Sequence, residues 1–171
     1  MTYRFLTSAK SDKGKVRASN QDSGYSGNNL FIVADGMGGH SAGDIASQTI
    51  ITALANLSKG GASNTNIFTL TSILEDVNEQ LVAQNVEHER MAGSTIAVAF
   101  ATGKNCTCLW AGDTRIYLYR RQRLLQLSTD HSQLQELLAQ GEITPEQANL
   151  AKLLLLKGVV QSTSGKGKEN E

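Results

Sequence analysis

Hydrophobic and polar positions follow two rhythms along this chain. Leu30 to Ala34 is an unbroken apolar run of strand length, as expected of a buried strand. Ala46, Ile50, Ala53, Leu54 and Leu57 then recur at helical spacing and form one face. The glycine-rich, polar stretch SKGGASNTN ends that helix. Ile67, Leu70, Leu74, Val77 and Leu81 define a second amphipathic helix, running to about Glu89. The texture then switches to STIAVAF, CTCLWA, RIYLYR and LLQLS, separated by TGKN, GDT and RQR. Such short spacers predict antiparallel hairpins.

At the N-terminal end, Tyr3 to Ala9 reads as a first strand, followed by a polar loop with short extended pieces up to Asn29. After the strands, HSQLQELLAQG predicts a short helix with Leu134, Leu137 and Leu138 on one face and Gly141 at its close. In TPEQ, Thr144 suits an N-cap, Pro145 the first helical position and Gln147 the capping-box position. This order of elements argues for an α+β fold with helices packed on antiparallel sheet.

Composition narrows the function classes. At 171 residues the chain can bury one real core. Sixteen basic and sixteen acidic residues cancel, which argues against a nucleic-acid or anionic-membrane partner. No apolar run approaches the ~20 residues of a membrane span, and the first fifteen residues carry no signal-peptide core. A cytoplasmic location is the expectation. Cys106 and Cys108 lie two apart in a strand-like run, so their side chains share a face and read as small buried residues. The tail NLAKLLLLKGVVQSTSGKGKENE departs from the rest, and its last ten residues read as disordered.

Candidate chemistry concentrates in FIVADGMGGHSAGD, Phe31 to Asp44. A dinucleotide or phosphate-loop cradle fails, because Ser41 stands where a third glycine is needed and no Gly-Lys-Ser/Thr follows. A plain Asp-Gly turn is one open reading. A metal site is the other: a carboxylate at a strand end beside bare backbone offers a hard cation both carboxylate and carbonyl oxygens. Three further segments bear on the choice. RASNQD supplies Arg17 and Asp22, AGDTR supplies Asp113, and STDHS supplies Asp130 ahead of a helix. Taken singly, each has a bland reading as surface charge, turn residue or N-cap.

Together RASNQD, VADGMGGHSAGDIAS, MAGSTIAVAF, WAGDTRIYLYR and LSTDHSQLQELLAQGEITPEQA resemble the PPM/PP2C family of metal-dependent serine/threonine protein phosphatases, in its bacterial form. The resemblance implies a central antiparallel β-sandwich flanked by helices, in α-β-β-α layers. It implies two Mn²⁺ or Mg²⁺ ions, and a third in bacterial members. By motif, Asp35 would bridge the two core ions and Gly36 would offer its carbonyl. Asp22 would reach the ions directly or through water, with Gln21 at the neighbouring acidic or amide position. Asp113 would serve the third ion, and Arg17 would hold the substrate phosphate. His40 stands near the place of a histidine that protonates the leaving alcohol. ITPEQA matches the flap beside the site. The implied reaction is hydrolysis of phosphoserine and phosphothreonine on proteins by a hydroxide bridging the ions, with a serine/threonine kinase and its targets as partners.

The resemblance stops near Ala148, dividing the chain into a phosphatase-like part (1–148) and a divergent tail (149–171). The family's later SDG and DN motifs have no counterpart, and no aspartate follows Asp130. The expectation is therefore a C-terminally truncated phosphatase lacking its last strands and two metal-binding carboxylates. The alternative is a weak or inactive module that binds phosphoprotein or regulates a kinase/phosphatase pair.

Overall fold

The computed structural model describes residues 4–38, 42–59, 66–89 and 91–147. Seven strands and three helices are assigned among them. They are β1 (Asp22–Ser26), β2 (Leu30–Gly38), α1 (Ala42–Lys59), α2 (Ile67–Glu87), β3 (Ala92–Ser94), β4 (Ile96–Thr102), β5 (Asn105–Ala111), β6 (Tyr117–Arg120), β7 (Arg123–Gln126) and α3 (His131–Ala139). The main sheet runs β1-β2-β4-β5, with β3 paired to the far end of β2. All pairings are antiparallel. β6 and β7 form a separate two-stranded sheet. The α+β expectation holds. No helix among the described residues is long and apolar enough to cross a membrane.

Alternation along the strands decides what each face meets. Leu30, Ile32, Ala34 and Gly36 of β2 are buried, whereas Val33 and Met37 are exposed. The buried set joins Ile96, Val98, Phe100 and Leu109 from β4 and β5. α1 covers them with Ala46, Ile50 and Leu54, and α2 with Leu70, Val77 and Leu81. These are largely the positions the helical periodicity marks; Ala53, Leu57, Ile67 and Leu74 pack at the rim. Asn66 caps α2, its side chain accepting from the Thr69 amide at 3.0 Å.

One contact brings α1 unusually close to β2. A Cβ placed on Gly36 would lie 2.0 Å from the Gly43 carbonyl oxygen and 2.8 Å from the Gln21 carbonyl oxygen. Both obstacles are backbone and cannot swing away. The glycine at 36 therefore lets the first turn of α1 rest on the strand.

Four sequence expectations change. Tyr3 lies outside the described residues, and residues 4–9 form no strand. They lie exposed, held by an edge-to-face contact of Phe5 on Phe31 (5.2 Å) and by Ser26 Oγ donating to Thr7 Oγ1 (3.0 Å). Those are side-chain ties, and no described strand offers this segment a ladder. β2 continues four residues beyond Ala34, so Asp35 sits inside a strand rather than at its end. Cys106 is exposed, because it lies beside the β4–β5 turn; only Cys108 is buried. Finally, β5 and β6 do not pair across GDT. The start of α3 occupies that place: Gly112 N–H donates to His131 Nδ1 (3.0 Å) and His131 N–H donates to the Gly112 carbonyl (3.0 Å).

Asp130 holds this corner. It stands at the N-cap of α3, but its side chain makes no capping bond. Instead Arg115 donates to both carboxylate oxygens, Nε at 3.0 Å to each and Nη2 at 2.6 Å to Oδ2. Trp110 Nε1 donates to the Thr129 carbonyl, and Ile116 N–H donates to Ser128 Oγ, both at 2.9 Å. Thr144 and Gln147 form the reciprocal capping box expected of TPEQ. The tail beyond 147 lies outside the described residues.

Two stability predictions follow from this packing. Gly36→Ala should cost about 3 kcal/mol, the upper end of overpacking penalties, read as a lowered urea midpoint. Gly24→Ala, whose Cβ would meet only the Ile32 carbonyl at 3.5 Å, is the tolerated control. Arg115 holds the Asp130 carboxyl below the usual carboxylate range, chiefly by hydrogen bonding. A depressed folded-state value stabilises above the unfolded value of about 3.9 and loses that stabilisation as pH falls through the folded one. The melting-temperature gap between wild type and Arg115→Gln should thus be wide at neutral pH and shrink below about pH 4. A gap independent of pH would show that the ion pair is not its cause.

Candidate active site

Two carboxylates face each other across the β1–β2 ladder. Asp22 is the direct register partner of Asp35. Like charges in opposed positions are destabilising unless something offsets them. The Asp35 carboxyl is accordingly raised above its ordinary value, first by partial burial and then by the Asp22 charge. Asp113 adds to the rise, and Arg17 opposes it. The Arg17 guanidinium lies 3.7 Å from Asp35 Oδ1, with both side chains about half exposed. Four of the residues singled out from the sequence thus act on one electrostatic centre at the end of the main sheet. His40 lies outside the described residues.

Backbone and hydroxyl groups fix this arrangement. The Gln21 carbonyl accepts from the Gly36 amide (3.1 Å) and from buried Ser47 Oγ (2.7 Å). Gln21 Nε2 donates to the Gly38 carbonyl (3.1 Å). Gln21 therefore staples the residue before Asp22 to β2 and to α1. Ser11 Oγ donates to Asp22 Oδ2 at 3.4 Å, and Asn20 Nδ2 donates to that same hydroxyl at 2.6 Å.

Thr95 performs the matching task for Asp113. Its amide donates to the Asp35 carbonyl (2.9 Å), and its Oγ1 accepts from the Asp35 amide (3.3 Å). The same hydroxyl is hydrogen-bonded to Thr114. Above it Gly112 turns with φ +96°, and a Cβ there would fall 2.7 Å from Thr95 Cγ2. One side chain thus links the backbone of Asp35 to the turn carrying Asp113. Ser47 and Thr95 were not singled out from sequence as positioning groups. The small polar residue buried on an otherwise apolar helix face is the signal for Ser47, and its place in GST is the signal for Thr95.

The donor set fits a divalent cation. Opposed carboxylates only partly offset by Arg17, and the Gly36 carbonyl in the same strand as Asp35, are hard oxygen ligands of the kind Mg²⁺ and Mn²⁺ prefer. Among the described residues, no group of three or more carboxylate, imidazole or thiol side chains converges tightly enough to hold an ion. Asp113 therefore belongs to the electrostatic centre without forming a closed cage with Asp22 and Asp35. A neighbouring cavity of about 700 Å³ lies between α2, β3 and the Gly112–Asp113 turn. Its wall is largely aliphatic, with Leu74, Val77, Leu81 and Ile96, so it suits an apolar ligand better than a phosphoryl group.

Known proteins similar to this chain in sequence and fold are numerous. Residues 5–136 match the protein phosphatase 2C family. The chain is 40% identical over 144 residues to the serine/threonine protein phosphatase PstP of Mycobacterium tuberculosis, covering 82% of this chain and 28% of that protein. It is 35% identical over 153 residues to the serine/threonine phosphatase stp of Listeria welshimeri, covering 81% of this chain and 60% of the relative. Among solved structures, the PstP catalytic domain in complex with two manganese ions aligns with a TM-score of 0.69 and 38% identity, over 81% of this chain and 61% of that one. The chain thus spans less than two thirds of each of these three relatives. Matched over most of its described length in both sequence and fold, the chain belongs to the protein phosphatase 2C family.

Proposed function

We propose that this chain carries the phosphate- and cation-binding half of a protein-serine/threonine phosphatase site and that its activity is metal-dependent hydrolysis of phosphoserine and phosphothreonine on proteins. The observation that carries the reading is the Asp22–Asp35 opposition with Arg17 beside it. Two opposed carboxylates sharing one half-exposed guanidinium make poor sense as structure. They make good sense as a place for cations and an anion together.

Each residue then has a task. Asp22 and Asp35 hold Mn²⁺ or Mg²⁺, the Gly36 carbonyl adds a ligand, and Asp113 draws a further cation to the same end of the sheet. When bound, the ions supply Lewis acidity toward water and the phosphoryl oxygens. The loose 3.7 Å contact leaves Arg17 free to turn from Asp35 to a phosphate, for which its planar fork is suited. There it offsets charge on the oxygens that gain it in the transition state. His40 is assigned the leaving-group proton. The partners are phosphorylated proteins, a serine/threonine kinase and its targets among them. No cysteine nucleophile is required: Cys106 and Cys108 lie on β5, outside the Asp35 centre.

The test is p-nitrophenyl phosphate hydrolysis by the purified chain with and without millimolar Mn²⁺. Metal-dependent turnover is expected, with Asp35→Ala abolishing it. Arg17→Ala should lower kcat/KM about 10- to 100-fold, the value of a charge-assisted hydrogen bond of about 1.5–3 kcal/mol. Phosphopeptide binding without turnover in folded protein would instead assign a binding module.

A further inference from the structure

Of the Asp-His pair in STDHS, Asp130 is committed to Arg115. His131 does something different, because its side chain reaches back nineteen residues to Gly112. Gly112 N–H donates to His131 Nδ1, and His131 N–H donates to the Gly112 carbonyl, both at 3.0 Å. The two residues thus exchange a pair of hydrogen bonds, as opposed residues of an antiparallel ladder do. Here a ring nitrogen stands in for one of the carbonyls. A backbone N–H can only donate, so Nδ1 must carry a lone pair while this bond is made. The contact is partly buried, where an N–H left without an acceptor is costly.

The peptide held in this way leads directly into Asp113. The other side of the same turn is held by the hydroxyl pair of Thr95 and Thr114. His131 is fixed in its turn by its neighbours. Trp110 binds the Thr129 carbonyl, Ser128 Oγ accepts from the Ile116 amide, and Arg115 binds Asp130. A braced corner therefore ends in one imidazole, and that imidazole ends on the residue before Asp113. His131 and Asp113 also line the same cavity.

We propose that His131 is a positioning residue for the cation that Asp113 draws: its Nδ1 clamps the Gly112 amide, and the clamped turn sets the affinity of that site. The step from the clamp to the cation rests on the phosphatase reading. His131 acts through the Gly112–Asp113 peptide, in the way that a partner orienting a metal ligand acts. Ser128 offers the comparison, since its bond to Ile116 braces the same corner without touching Gly112.

The experiment measures Mn²⁺ binding to the full chain, without substrate, by loss of the free ion's electron paramagnetic resonance signal. Asp113→Asn identifies the component that belongs to Asp113. His131→Leu should weaken that component about tenfold, the lower end for losing a group that orients a ligand. Should His131→Leu fail to fold, His131→Gln, whose oxygen lies one carbon further out, carries the same expectation. His131→Asn, whose Oδ1 can take the place of Nδ1, should bind as wild type does. Ser128→Ala should lower the melting temperature and leave Mn²⁺ affinity unchanged. Hydrogen exchange supplies a metal-free reading: the Gly112 amide should be protected in wild type and His131→Asn, and exchange about tenfold faster in His131→Gln. No Asp113-dependent binding, wild-type affinity in His131→Leu, an Asn variant as weak as the Leu variant, an equal loss in Ser128→Ala, or an unprotected Gly112 amide in wild type would overturn the proposal. Asp35→Asn reports on the phosphatase reading separately: Mn²⁺ binding that survives it intact counts against that reading, whatever the His131 variants do.

Discussion

The backbone contact between Gly36 and Gly43 sets the geometry of the carboxylate end. With no Cβ on either residue, the first turn of α1 settles directly on β2. That approach brings buried Ser47 onto the Gln21 carbonyl, which also accepts from the Gly36 amide. Gln21 in turn precedes Asp22, and the register then places Asp22 opposite Asp35. A side chain at position 36 would part strand from helix and loosen every link in that series. The glycines after Asp35 were expected to clear space for a hydrated ion; at position 36 the cleared space is filled by the protein's own backbone.

A second network, built from small hydroxyl side chains and a glycine turn, positions Asp113. Thr95 touches both Asp35 and Thr114, and the start of α3 takes both backbone groups of Gly112. The Arg115–Asp130 pair locks the far side of the corner. The chain is turned away from the main sheet here, so β6 and β7 leave as a separate hairpin. The same corner therefore fixes a carboxylate on one side and starts the β6–β7 hairpin on the other.

The core has a simpler origin. Alternation buries one side of β2, β4 and β5, and the helical stripes of α1 and α2 cover it. On the other side Val33 stays 53% exposed, and the hairpin leucines are exposed too. Apolar burial is thus concentrated between sheet and helices, while polar and charged groups organise the end of the sheet where Asp22 and Asp35 meet.

Much of this was legible in the residues themselves. Periodicities of two and 3.6 arise from the backbone alone, so β2, α1, α2, the β4–β5 hairpin and the Thr144 capping box could be placed from sequence. Arg17, Asp22, Asp35 and Asp113 could be named as a group because their motifs occur together. Register, close approach and competition for backbone groups could not, since they depend on residues far apart in the chain. Only the folded chain sets Asp22 against Asp35, gives Gly36 its neighbour at Gly43, and hands the Gly112 backbone to His131 rather than to β6. Asp130 shows the limit most plainly: its sequence position marks an N-cap, and its carboxylate goes to an arginine fifteen residues away.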